Sequence, residues 1–206
     1  FWAGNAVVAR GVIDSVPPMA LSFWRWLVAF VIIAPFAVPF IRQSWPVVRR
    51  HWLSLLVLSF LSAGMFNTLQ YLAAHTTTAV NITLVNSTMP IMIGLFAFLW
   101  LGERPGRRQV QGIVIALAGI LVVISRGSLD VLLNIGFAAG DLLMVLAIAC
   151  WGFYSVLLKR QGIPLHPVML ITVIIAMALP MTFVLYLAEM ALGYHFTFRP
   201  EVLPPI

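Results

Sequence analysis

The 206-residue chain is 62% hydrophobic and 9% charged, against roughly 45–50% and about 25% in soluble globular proteins. Twelve Lys and Arg against six Asp and Glu leave a net charge of +6, and the mean hydropathy is +1.05. That excludes a soluble domain, a disordered segment and a basic face for nucleic acid, while Cys150, the single cysteine, excludes an internal disulfide framework. What remains is an all-α integral membrane protein.

Proline and arginine clusters punctuate the hydropathy and give seven segments in chain order. Apolar runs fall at 1–13, 18–40, 52–74, 79–101, 109–125, 139–158 and 168–192. The first is shorter than the about 20 residues a membrane helix needs, so a helix cut short at its start is expected there. No basic stretch followed by a small-residue cleavage site marks a signal peptide. The other six approach spanning length, 109–125 being the shortest, and a Pro-rich tail follows from 198. Runs this continuous do not alternate as β-barrel strands must. Short connections make neighbouring helices antiparallel, so a compact helical bundle is expected.

Charge orients the bundle. Connections after the second, fourth and sixth segments carry Arg42, Arg49, Arg50, Arg104, Arg107, Arg108, Lys159 and Arg160, whereas the other side has Arg10, Arg126 and Arg199. The rule that basic loops stay inside makes the eight-residue side cytoplasmic. The first segment then enters from the cytoplasm, with the N-terminus inside. A bacterial cytoplasmic (inner) membrane is the expected location, and the anionic leaflet the partner of the surplus charge.

An internal repeat emerges at an offset of 149. Trp2 matches Trp151, Val7 matches Val156 and Arg10 matches Lys159; Pro18 matches Pro167, Leu21 matches Leu170 and Ala29 matches Ala178. The offset spans five segments, an odd number, so the second copy runs the opposite way across the membrane. Inverted repeats of this kind build secondary transporters, whose halves rock about a site near the midplane. The expected bundle is therefore an inverted five-helix repeat. Residues 1–138 make a nearly complete first copy, and 139–206 open a truncated second with two helices. About three helices would be missing from a ten-helix parent.

Several stretches of the sequence resemble the drug/metabolite transporter superfamily, in particular its EamA-type ten-helix carriers. They are 1–10 (FWAGNAVVAR), 18–25 (PMALSFWR), Thr78 through Pro90 to Leu101-Gly102-Glu103-Arg104, 112–119 (GIVIALAG), and Gly140-Asp141-Leu142 through Cys150-Trp151-Gly152. The resemblance covers nearly the whole chain. It implies export or exchange of small metabolites, often amino acids, coupled to a proton gradient or a counter-substrate.

Polar groups within a bilayer are costly and mark function or helix packing. Spacings of three and four put Asn67, Gln70 and Tyr71 on one face of the third segment, offering amides and an aromatic platform to a substrate. Interhelical hydrogen bonding would use the same residues. In the fourth segment Pro90 leaves carbonyls near Asn86 without a donor, making Asn86 a lining candidate. The alternative is a tolerated kink whose freed carbonyls are taken up by Ser87 or Thr88. Trp2 and Asn5 of the first segment would face Trp151 and Tyr154 of the sixth across the pseudo-twofold axis.

Arg25, about seven residues into the second segment, would be the counter-ion of a substrate carboxylate. The plainer reading is a side chain snorkelling to the interface. Glu103 is expected to pair with Arg104 or Arg107. Glu189 is expected to be interfacial, and is read as the one carboxylate placed for embedding.

Catalytic chemistry is not legible. No His, Cys, Asp and Glu set has metal-ligand spacing, and there is no nucleophile elbow or phosphate-cradling Gly loop. No catalytic residue, metal or cofactor is therefore assigned. A seven-helix receptor fails on the inside N-terminus, and 168–192 has no lysine for a retinal Schiff base. The rival that stays open is an intramembrane enzyme or a lipid-handling or structural membrane protein.

Overall fold

A computed structural model describes residues 16–125, 128 and 138–193. Six helices account for nearly all of them: α1 (Pro18–Arg50), α2 (Trp52–Thr76), α3 (Ala79–Leu101), α4 (Arg107–Ser125), α5 (Ala139–Gln161) and α6 (Pro167–Ala191). All except α4 are long and apolar enough to cross a membrane. The chain is thus an all-α polytopic membrane protein.

The helices begin and end where local chemistry dictates. Pro18 and Pro167 open α1 and α6, where a fixed φ suits the helix and the missing amide would have been unpaired anyway. Thr78 caps α3, its hydroxyl accepting from Asn81 N at 3.1 Å. Gly102 and Gly162 close α3 and α5 in the left-handed region, with φ of 69° and 50°.

The expected break after residue 40 does not occur. α1 continues as helix through Arg42 to Arg50, and a single residue, His51, separates it from α2. The stretch 41–50 is too polar for hydrocarbon, which is why hydropathy read it as a connection. Helical backbone needs no apolar side chains, however, and Pro35, Pro39 and Pro46 are accommodated within it.

Chain direction alternates, as side-chain contacts at both ends record. Glu189, near the end of α6, reaches Met19 and Ala20 at the start of α1. Phe40 of α1 stacks on His166, just before α6, with ring centroids 4.0 Å apart. α1 and α6 therefore form an antiparallel pair. α2 lies deepest and packs on α5.

Two glycines permit close helix approach. A methyl group on Gly140 would lie 2.5 Å from Thr76 Oγ1, and one on Gly152 would lie 3.1 Å from Phe96 Cδ2. Apolar clusters pin the bundle: Ala37, Leu55, Leu58, Ala63, Ile174 and Ala178 unite α1, α2 and α6, while Ala73, Ala74, Ile82, Met144 and Ile148 unite α2, α3 and α5. Small side chains of this kind let helices close without a solvent-driven force between them.

Two helices are irregular inside. α2 contains a π-helical stretch, Phe60–Phe66; the hydroxyls of Ser59 just before it and Ser62 within it donate to the Leu55 and Leu58 carbonyls at 2.6 Å each. α3 is interrupted at Thr88, two residues before Pro90. There Ser87 Oγ donates to Leu84 O at 2.5 Å and Thr88 Oγ1 to Val85 O at 2.7 Å. Ser87 and Thr88 thus do take up carbonyls, but those of the turn before Asn86 rather than its own.

Candidate functional site

The π stretch ends at Asn67, which with Thr68, Gln70 and Tyr71 forms a buried polar face. Asn67 Nδ2 donates to Ser62 O, five residues back, at 3.4 Å. That contact points its carbonyl oxygen at α1, where it accepts from Arg25 Nη2 at 2.6 Å. The guanidinium carbon lies 4.6 Å from the centroid of the Trp26 ring and 5.7 Å from that of Tyr71, both within cation–π range. Half-buried Arg25 thus turns toward α2, where a hydrogen-bond acceptor and two aromatic rings meet its charge. Hydropathy could not decide this, because both readings put the same residue in the same segment.

An aromatic row adjoins this centre. Phe66 packs on Trp151 with centroids 4.9 Å apart, and Trp151 on Tyr154 at 5.1 Å. Arg25, Asn67 and Tyr71 are thereby brought together across α1 and α2, while Trp151 and Tyr154 of α5 meet α2 through Phe66, next in sequence to Asn67. Gln70 is buried on the same helix as Asn67. Asn86 is half-buried on α3, and its Oδ1 has no hydrogen-bond partner among the described residues. Trp2 and Asn5 lie outside the described residues.

Other members of the polar centre carried no signal of their own in the sequence. Ser22, Arg25 and Trp26 share a face of α1 at spacings of three and four, and Trp26 reads as ordinary apolar filling. Yet Ser22 Oγ, Trp26 Nε1 and Thr68 Oγ1 are buried without a hydrogen-bond partner among the described residues. Buried polar atoms are nearly always satisfied, so this concentration beside Arg25 sets the region apart.

The carboxylates also differ from expectation. Glu189 is buried by the protein at the end of α6, with Oε1 accepting from Met19 N at 3.1 Å and Oε2 from Ala20 N at 2.9 Å. It caps the exposed amides of α1 from another helix. It is not the one buried carboxylate among the described residues. Asp141 is buried as well, accepting from the Thr77 hydroxyl, from Asn81 Nδ2 at 3.0 Å and from Ala138 N at 2.7 Å. A capping signal was available there, since an acid at the third helical position after an apolar run is a helix-start pattern. Glu103 pairs with Lys159 of α5 at 2.6 Å, not with its neighbours Arg104 or Arg107.

These features define a class: polytopic helical membrane proteins that hold a cation and unsatisfied polar groups within the span. The chain belongs to the EamA-like transporter family, whose model matches residues 1–125, more than half of its length. It is 28% identical over 170 residues to the "Uncharacterized transporter YyaM" of Bacillus subtilis, covering 80% of this chain and 55% of that one. An "Uncharacterized transporter" of Archaeoglobus fulgidus is 26% identical, covering 76% and 53%. The "Inner membrane protein YtfF" of Escherichia coli is 25% identical, covering 89% and 60%. The chain thus spans about half the length of the curated relatives it matches. No solved structure matches it.

Proposed function

We propose that the whole protein is a secondary transporter that exports or exchanges small metabolites such as amino acids by alternating access. Residues 1–138 and 139–206 belong to two inverted halves, the N-terminus is cytoplasmic, and the relatives' greater length leaves room for the remaining helices. Supporting the repeat, α1 and α6 both begin at a proline, 149 residues apart, and lie antiparallel.

One observation carries the substrate reading: the Arg25 guanidinium turns toward α2, fixed by Asn67 and covered by Trp26 and Tyr71. In that reading a substrate carboxylate takes the outer edge of the guanidinium, and its apolar part lies along Phe66, Trp151 and Tyr154. Ser22 Oγ, Trp26 Nε1 and Thr68 Oγ1 gain their missing partners when substrate binds. Selectivity follows, because a ligand without matching groups leaves buried polar atoms unpaired. A proton or a counter-substrate drives the cycle.

The test is counterflow in proteoliposomes holding the full-length protein, with labelled amino acids and aromatic metabolites, with and without a pH gradient. Saturable accumulation should fall at least about tenfold in Arg25→Gln, the loss of one charge-assisted hydrogen bond. Asn67→Ala and Trp151→Ala should raise the half-saturating concentration. Accumulation untouched by all three substitutions would keep the transporter and discard this site. If no compound on a widened panel accumulated, the transport reading itself would fall.

A further inference from the structure

α1 is 33 residues long, about 50 Å of helix, against a hydrocarbon layer of about 30 Å. Counted from Pro18, the layer is crossed after roughly 20 residues, so the last dozen continue as helix into the headgroup region. This extension is pinned on one side only. Ser44 and Val48 are buried, and Val48 belongs to the cluster with Leu55 and Ile163.

Its other side is open. Arg42, Trp45 and Arg49 follow one another at spacings of three and four, share a face, and are all exposed. Arg50 and Trp52 are exposed at the adjoining corner with α2. No Asp or Glu occurs between residues 15 and 102. Among the described residues at this end of the bundle the one carboxylate is Glu103, already bound to Lys159. Three guanidiniums therefore stand together with no protein countercharge among the described residues, on a helix that emerges at headgroup depth.

We propose that this end of α1 is a binding site for anionic phospholipid. Arg42 and Arg49 flank Trp45 by one turn on either side. Each guanidinium presents a planar fork of donors to a phosphodiester, while the indole between them lies among the headgroups, in the interfacial region where Trp is enriched. The lipid supplies the countercharge that the chain lacks. Because the opposite face of the same turn packs on Leu55 and Ile163, a bound headgroup also braces the corner joining α1, α2 and the start of α6. The site is independent of the substrate reading above.

Tryptophan quenching tests it, using full-length protein in bilayers of brominated phosphatidylglycerol or brominated phosphatidylcholine at low salt. Quenching should be stronger with the anionic lipid, and Trp45→Phe should remove that excess. Arg42→Gln/Arg49→Gln should lower the preference by about fivefold per arginine removed, whereas Arg42→Lys/Arg49→Lys should keep most of it. Helix content by circular dichroism checks that each variant is folded. Should the glutamine pair not fold, 1 M salt on the wild type replaces it and should abolish the preference. Equal quenching by the two lipids would overturn the proposal. So would an excess that survives Trp45→Phe, the glutamine pair or high salt.

Discussion

At one end of the bundle, two carboxylates are buried, and among the described residues every hydrogen bond they accept comes from an uncharged group. Glu189 holds the amides of Met19 and Ala20, and Asp141 holds the Thr77 hydroxyl, the Asn81 carboxamide and the Ala138 amide. At the other end, Glu103 and Lys159 form a salt bridge with side chains 47% and 62% exposed, and Phe40 lies against an exposed His166. The first kind of contact is hard to break, because separation strands charge and amides away from water. The second separates cheaply, since water takes over both charges. In the proposed repeat, Phe40 and Glu189 occupy equivalent positions, 149 apart, on the two members of the α1–α6 pair. One geometry is thus closed by a buried carboxylate at one end and by ring stacking and apolar packing at the other, so a rocking motion should open first at the basic end.

Substitutions at the two ends test this contrast. Asp141→Ala should have the largest effect, about 3 kcal/mol, since it strands three donors at once. In thermal melts followed by circular dichroism that is a midpoint about 6–12 °C lower. A loss under about 1 kcal/mol would place this end on the same footing as the other. Glu189→Leu should cost about 2 kcal/mol through the two freed α1 amides, with Glu189→Gln recovering part of it. Hydrogen exchange at Met19 and Ala20 should accelerate in the leucine variant, and unchanged exchange there would remove the cap from the explanation. Phe40→Leu should cost no more than about 1 kcal/mol, the worth of an aromatic contact beyond its area. Lys159→Gln should change stability least, by about 0.5 kcal/mol, an effect that disappears in high salt.

The sequence was most legible where hydrocarbon does the sorting. The expected run 79–101 coincides with α3, and 52–74 and 168–192 differ from α2 and α6 by one or two residues, because a membrane punishes misplaced polarity. Legibility failed where polarity and helicity part company. Arg42 to Arg50 read as a loop although the backbone there stays helical. It failed again for side-chain direction: nothing in the order of residues says whether Arg25 turns toward Asn67 or toward the interface. Asp141 and Glu189 show the same limit, since each has at least one partner on another helix, brought near only by packing. Of the candidate site, the face bearing Asn67, Gln70 and Tyr71 was readable from spacing alone. Trp26 was not, because indole is as frequent in apolar filling as in sites.

The π stretch at Phe60–Phe66 makes the polar centre dependent on residue count as well as residue identity. Each residue of an α-helix advances the chain by about 100° around the axis. A π turn closes its hydrogen bonds one residue further on, so the stretch absorbs one residue more than α geometry would; rewinding it as ordinary α-helix with every residue kept would swing everything after it by that angle. Asn67 and Tyr71 would then turn away from Arg25 while keeping their neighbours in sequence, their helix and their depth. Along this helix phase is set by hydrogen-bond pattern and length together: the same residues wound as plain α-helix would have no site, whereas a chain one residue shorter in this stretch would keep it.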